Sequence, residues 1–298
     1  MSTPGSGEGS NSAVSRRVFL AAGAALPALS WFPAAAQTPS PFTVIEARIG
    51  GRVGVAARDL ATDKRLSHRA DERFAMCSTF KWVLAAAVLE KVDRGTLELD
   101  RQIRFGPADL LDHAPVVKAH AADSMLTVET LCGAIVEVSD NTAANLLLQQ
   151  IGGPEGLTAF VRRLDDSVTR LDRNEPALNT NLPGDPRDST SPNAMIGLLQ
   201  RILIGDALAD GARDKLAGWM KNCTTGLAML RAGLPKNWHV GDKTGRGANY
   251  AVNDMAIAWP PNRRPILIAA YLSGSNADDD TLNAAHADIA RAVAAAFA

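Results

Sequence analysis

Ser78 and Lys81 are the first residues along this chain whose types and spacing could do chemistry. A serine hydroxyl is a weak nucleophile until a neighbour takes its proton. A lysine in a dry site can do so, because desolvation lowers the pKa of its ammonium. In Cys77-Ser78-Thr79-Phe80-Lys81 the two stand one helical turn apart, and Phe80, Leu84, Val88 and Val92 recur at helical spacing. Ser78 therefore belongs to the first turn of a buried helix. A lone S-x-x-K is adequately explained by a serine helix cap. Three further signals follow it in chain order: Ser139-Asp140-Asn141, Glu175-Pro176-Ala177-Leu178-Asn179 and Lys243-Thr244-Gly245. Each is weak by itself, since S-D-N often caps a helix and K-T-G often ends a strand. Together, and in fitting contexts, they form a strong set.

The elements that must position these groups are legible from periodicity and punctuation. Thr43 to Ile49 predicts a short helix that Gly50-Gly51 stops, followed by a hairpin over Val53–Arg58 and Arg65–His68. From Ser78 to Asn222 the pattern is helical, with helices expected at 78–93, 128–138, 142–150, 154–164, 193–204 and 212–221. Ser139-Asp140-Asn141 falls between two of them, where the chain must turn. Ser167 to Asp188, with Pro176, Pro183 and Pro186, reads as a long loop, and such loops inside compact domains are usually functional. Strand-like runs at 238–245, 251–259 and 266–273 then precede an Ala-rich amphipathic helix from Asp279 to Phe297. Strands at both ends enclosing a helical middle predict an α/β fold, one sheet built from both termini with an inserted all-helical domain. The expected division is residues 37–76 with 222–298 for the α/β domain and 77–221 for the helical one.

With 298 residues, 46% hydrophobic content and a net charge of -1, the chain can bury a sizeable core and carries no basic footprint for nucleic acid. Five scattered histidines and no C-x-x-C give no metal-ligand spacing. Residues 1–36 form a separate unit. A Gly/Ser-rich start leads to Arg16-Arg17, a short apolar stretch and Ala34-Ala35-Ala36, the pattern of an export signal of the twin-arginine type. The stretch is too short and Ala/Gly-rich for a comfortable membrane span. A mature, soluble protein is expected in the periplasm or outside the cell. The three cysteines, Cys77, Cys132 and Cys223, read as buried small hydrophobes.

The four motifs in this order resemble those of class A serine β-lactamases over essentially all of the mature chain. Leu110-Leu111-Asp112-His113-Ala114-Pro115, Arg173, Asp185-Pro186-Arg187-Asp188 and Gly241-Asp242 add to the match. The resemblance implies a five-stranded antiparallel sheet flanked by helices, packed on a helical domain with the site between them. It implies a cofactor-free monomer acting on a small-molecule β-lactam, penicillins and cephalosporins. Ser78 would be the nucleophile, with Lys81 or Glu175 as the base that activates it. Backbone N–H groups of Ser78 and Arg246 would hold the oxyanion. Ser139 would pass a proton to the ring nitrogen beside Lys243, and Asn141 would hold the acyl amide. Glu175 and Asn179 would manage the hydrolytic water, with a cis peptide before Pro176. An Arg173–Asp188 pair would close the loop's neck, and Thr244, Gly245 and His113 complete the substrate-binding set.

The departures from that pattern are specific. The position that often pairs with Cys132 is Ala85, and the one that bridges Cys77 in carbapenem-hydrolysing relatives is Gly247. The usual arginine for the substrate carboxylate is replaced by Met229 or Val252. Arg246, two residues beyond Thr244 on one strand, is either a substitute cation in the cleft or a solvent-facing side chain. The alternatives are a D,D-peptidase, which shares three of the four motifs, and a β-lactam or peptidoglycan-binding sensor domain that acylates without turnover. Glu175, a dedicated base for hydrolysis, argues against both.

Overall fold

The computed structural model describes residues 39–298, so the export signal expected at residues 1–36 lies outside the described residues. Five strands form the main sheet: β1 (Arg52–Asp59), β2 (Arg65–His68), β3 (His239–Gly247), β4 (Ala251–Trp259) and β5 (Ile266–Ser273). They lie in the order β2-β1-β5-β4-β3, antiparallel throughout. The two ends of the described chain thus meet in one sheet, with β1 paired to β5 along its full length. The helices are α1 (Pro41–Ile49), α2 (Phe80–Asp93), α3 (Val128–Glu137), α4 (Asn141–Ile151), α5 (Gly153–Arg163), α6 (Pro192–Leu203), α7 (Asp210–Lys221) and α8 (Asp279–Phe297), with shorter turns between.

Helices cover both faces of the sheet, which is why β4 and β5 are almost wholly buried rather than alternating. One face packs Val53, Ile268 and Leu272 against Phe42 and Ile45 of α1 and Val293 and Phe297 of α8. The other packs Met255, Ile257 and Tyr271 into a larger core with Trp82, Leu131 and Leu198. Every residue of α2 from Phe80 to Leu89 is buried. A helix that is apolar all round belongs inside, and this one carries Lys81 into the interior with it.

The helix starts follow capping chemistry. Thr127, Asp140 and Ser191 each accept a hydrogen bond from a backbone N–H three residues on. The loop that follows α5 returns through a two-residue ladder, Phe74 with Thr190 and Ala75 with Ser189. That ladder fastens the loop's end directly before the Ser78 turn. It is too short to leave a periodic signal in the sequence. All three cysteines are free and buried, and burial pushes the Cys77 thiol up to about 12. Among the described residues no helix is long and apolar enough to cross a membrane.

Candidate active site

The nucleophile turn is held by its neighbours on every side. Cys77 has φ +46°, the left-handed region that L side chains rarely occupy. A 3-10 turn over Cys77–Thr79 then feeds α2. Asn253 Nδ2 of β4 donates to the carbonyls of Ala75 (2.9 Å) and Met76 (3.1 Å), and the Met76 N–H donates to Asp188 O at 2.8 Å. Gly245 of β3 lies so close that a Cβ there would stand 2.7 Å from Met76 O and 3.0 Å from Ser78 N. Only glycine allows the strand to approach the turn that way.

Ser139, between α3 and α4, is left-handed too, with φ +63°. Asp140 fixes the bend with both oxygens. Oδ1 accepts from Ala143 N at 2.8 Å, while Oδ2 accepts from Val116 N and Val117 N, each at 3.0 Å. Asn141 N donates to His113 O at 2.8 Å, and the His113 ring reaches Val138 O at 3.0 Å. His113 therefore borders the Ser139 turn on the exposed rim of the cleft.

Glu175 enters on the long loop through a cis peptide to Pro176. Asn145 of α4, which the motifs did not flag, holds its backbone twice. The Glu175 N–H donates to Asn145 Oδ1 at 3.0 Å, and Asn145 Nδ2 donates to Glu175 O at 2.9 Å. The available signal was that Asn145 lies four residues after Asn141, on the same helix face. Asn179 Nδ2 donates to Glu175 Oε2 at 2.6 Å. Arg173 Nε donates to the wholly buried Asp188 at 2.6 Å, so this pair is not a solvated surface contact.

These segments bring five reactive groups together. Glu175 Oε1 is 3.4 Å from Ser78 Oγ and 3.1 Å from Lys81 Nζ. Lys81 Nζ also donates to Ser139 O at 2.8 Å and Asn141 Oδ1 at 2.5 Å, and lies 3.3 Å from Ser139 Oγ. From the other side Lys243 Nζ reaches Ser139 Oγ at 3.1 Å. Both lysines are fully buried, and that burial is the main cause of their lowered pKa values. Lys81 is brought down to about 8. The Glu175 carboxylate opposes the shift and the Lys243 ammonium adds to it.

Arg246 is the candidate that stands apart. Asp242, Thr244 and Arg246 share one side of β3, as strand alternation requires. Thr244 Oγ1 meets Thr225 Oγ1 at 2.5 Å, whereas the Arg246 guanidinium turns to α8, donating to Asp279 at 2.8 Å and to Asn283 at 2.5 Å. The N-terminal end of α8 supplies the acceptors nearest to it, Asp279 and Asn283, so the side chain follows them. Met229 and Val252 are buried in the sheet's apolar face.

The sequence model of the β-lactamase enzyme family matches residues 42–297. β-Lactamase L2 of Stenotrophomonas maltophilia is 48% identical over 240 residues, covering 80% of this chain and 79% of that protein. The carbapenem-hydrolyzing β-lactamase KPC of Klebsiella oxytoca is 44% identical over 274 residues, covering 89% and 93%. An ancestral class A β-lactamase superposes with a TM-score of 0.84 at 52% identity, over 86% of this chain and 98% of that one. The putative class A enzyme PenP from Rhodopseudomonas palustris gives 0.84 at 47%, over 86% and 97%. The sheet, the four motifs and these likenesses agree, and the chain belongs to the class A serine β-lactamase family.

Proposed function

We propose that this enzyme opens penicillins and cephalosporins by acylating Ser78, and that Glu175 then activates the water that frees the product. The observation that carries this reading is the reach of one buried carboxylate. Glu175 Oε1 is within 3.4 Å of the Ser78 hydroxyl and 3.1 Å of the Lys81 ammonium. A base so placed serves a nucleophile and a water on the same side of the cleft. The first turn of α2, with the N–H groups of Ser78 and Arg246, is the site for the oxyanion. Ser139, between Lys81 and Lys243, hands a proton to the departing ring nitrogen. Asn141 takes the acyl amide, and His113 forms the rim above it. In this reading the helical part, residues 77–221, is a domain inserted in the α/β part. The protein is exported by the twin-arginine route and works as a monomer.

The protonation of Lys81 separates the two bases. Its Nζ has three acceptors in reach, Glu175 Oε1, Ser139 O and Asn141 Oδ1, enough for all three N–H bonds of an ammonium. In the resting site it acts as a charge, and the proton of Ser78 passes to Glu175 through a water. Purified protein should therefore turn over a chromogenic cephalosporin with kcat/KM level through neutral pH, falling as the pH passes about 8 and Lys81 loses its charge. No turnover would sink the whole reading. A rate that instead climbs about tenfold per pH unit up to that point would make neutral Lys81 the base.

A further inference from the structure

The carboxylate of a penicillin needs donors beside Lys243, and the side chains at Met229 and Val252 have none. Arg246 is engaged with Asp279 and Asn283. What stands next to Thr244 instead is a second hydroxyl. Thr225 Oγ1 lies 2.5 Å from Thr244 Oγ1, and Thr225 is exposed where Thr244 is largely covered.

The segment carrying Thr225 is pinned in place. Thr224 donates through N (3.0 Å) and Oγ1 (3.1 Å) to Glu137 O, two residues before Ser139. Gly226 is pressed on β3 so closely that a Cβ there would come within 2.0 Å of Asp242 Oδ2 and 3.2 Å of Thr244 Cγ2. Below, Cys223 Sγ is 3.3 Å from Thr225 Oγ1. Burial raises the pKa of that thiol, and the Lys243 ammonium is near enough to pull against the rise. Lys243, Cys223, Thr225 and Thr244 thus form one contiguous group.

We propose that Thr225 is a substrate-binding residue of this enzyme, its hydroxyl and that of Thr244 together holding the substrate carboxylate over Lys243 where relatives use an arginine. The assignment rests on the β-lactam reading above. A hydroxyl proton rotates to suit its acceptor, so the two threonines can turn from each other to an arriving anion. Alternatively one can donate to the other while the second donates outward, which strengthens the outward bond. Both hydroxyls are neutral, so the charge itself comes from Lys243.

The test compares a penicillin with its methyl ester, which keeps the β-lactam and loses the anionic group. Thr225→Val exchanges the hydroxyl for a methyl group of similar size and so removes the donor with little change of shape. It should raise KM for the acid about tenfold, the loss expected for a hydrogen bond to a charged group at a partly exposed site. The ester should change little, and Thr225→Ser should restore the parent's preference for acid over ester. A merely structural role would lower both substrates alike. Equal acid-to-ester ratios in Thr225→Val and parent would overturn the proposal while parent turnover kept the β-lactam reading intact. If Arg246→Ala erases the ratio and Thr225→Val leaves it, the guanidinium swings from α8 to do this work and Thr225 does not. Matching melting curves for parent and variants establish that all are folded.

Discussion

Glu175→Gln should accumulate the acyl-enzyme. Mass spectrometry after mixing the variant with a penicillin should find protein plus one intact drug mass, persisting for many parent turnover times. The opened lactam has no leaving group to lose, so the whole mass stays on Ser78. Glutamine matches the shape of glutamate and can still accept from Asn179 Nδ2, now 2.6 Å from Oε2. It cannot take a proton from water. Loss of a general base costs roughly 10²–10⁴-fold in the step it serves. The change also removes the nearest counter-charge to Lys81, at 3.1 Å, in a fully buried position. An uncompensated buried ammonium is driven toward its neutral form, and a neutral Lys81 can itself take the Ser78 proton. That second route is slower than the parent's, which uses Glu175 beside a charged Lys81, but it keeps acylation measurable while hydrolysis stalls. Turnover at the parent rate would show that Glu175 is not the deacylating base, and an adduct that persists on Ser78→Ala would place the acyl group elsewhere.

Much of this site is readable in the sequence, for a definite reason. Two of the motifs lie where helices start, and helix starts are marked by capping and periodicity that act over a few residues. Ser78 stands in the 3-10 turn that leads into α2 and Asp140 caps α4, whereas Lys243 to Gly245 lie within β3, which runs on to Gly247 past the end expected at 245. The sheet was legible because β1 and β5 are apolar runs bounded by turns. What the sequence did not disclose depends on distant contacts. The left-handed backbone at Cys77 and Ser139 is no preference of those residues; packing imposes it, through Asn253 and Gly245 at one and Asp140 at the other. Asn145 has no motif, because its partner is a loop backbone thirty positions away. The direction of Arg246 was undecidable from alternation alone. Period two correctly put it with Thr244, but only α8 packing beside the edge strand supplies Asp279 and Asn283.

Asp188→Asn should damage stability and turnover together, because one carboxylate closes the loop that carries Glu175. Asp188 is wholly buried. Its Oδ1 accepts from Asp172 N at 2.8 Å and Arg173 N at 2.9 Å, and its Oδ2 accepts from Arg173 Nε at 2.6 Å. Its carbonyl accepts from Met76 N, directly before the nucleophile turn. Asparagine has the same outline but must point an NH2 at one set of donors, so either the backbone pair or the guanidinium loses its acceptor. Removing one partner of a buried ion pair costs about 3–5 kcal/mol when the other stays dry. Arg173 retains 20% side-chain exposure and can partly rehydrate, which puts the expected loss nearer ~3 kcal/mol. For a chain of this size that is a fall in Tm of roughly 6–12 °C. Glu175 lies two residues past Arg173, so a loosened neck displaces the carboxylate, and an ångström of misplacement costs on the order of 10²-fold in rate. Both steps use Glu175, but deacylation should suffer more, since Ser78 is separately held by Asn253 and Gly245 and Lys81 offers acylation a second, slower base. A melting temperature within a degree of the parent, with kcat unchanged, would mean that the loop keeps its shape without this pair and that Asn145 and Asn179 alone hold Glu175 in place.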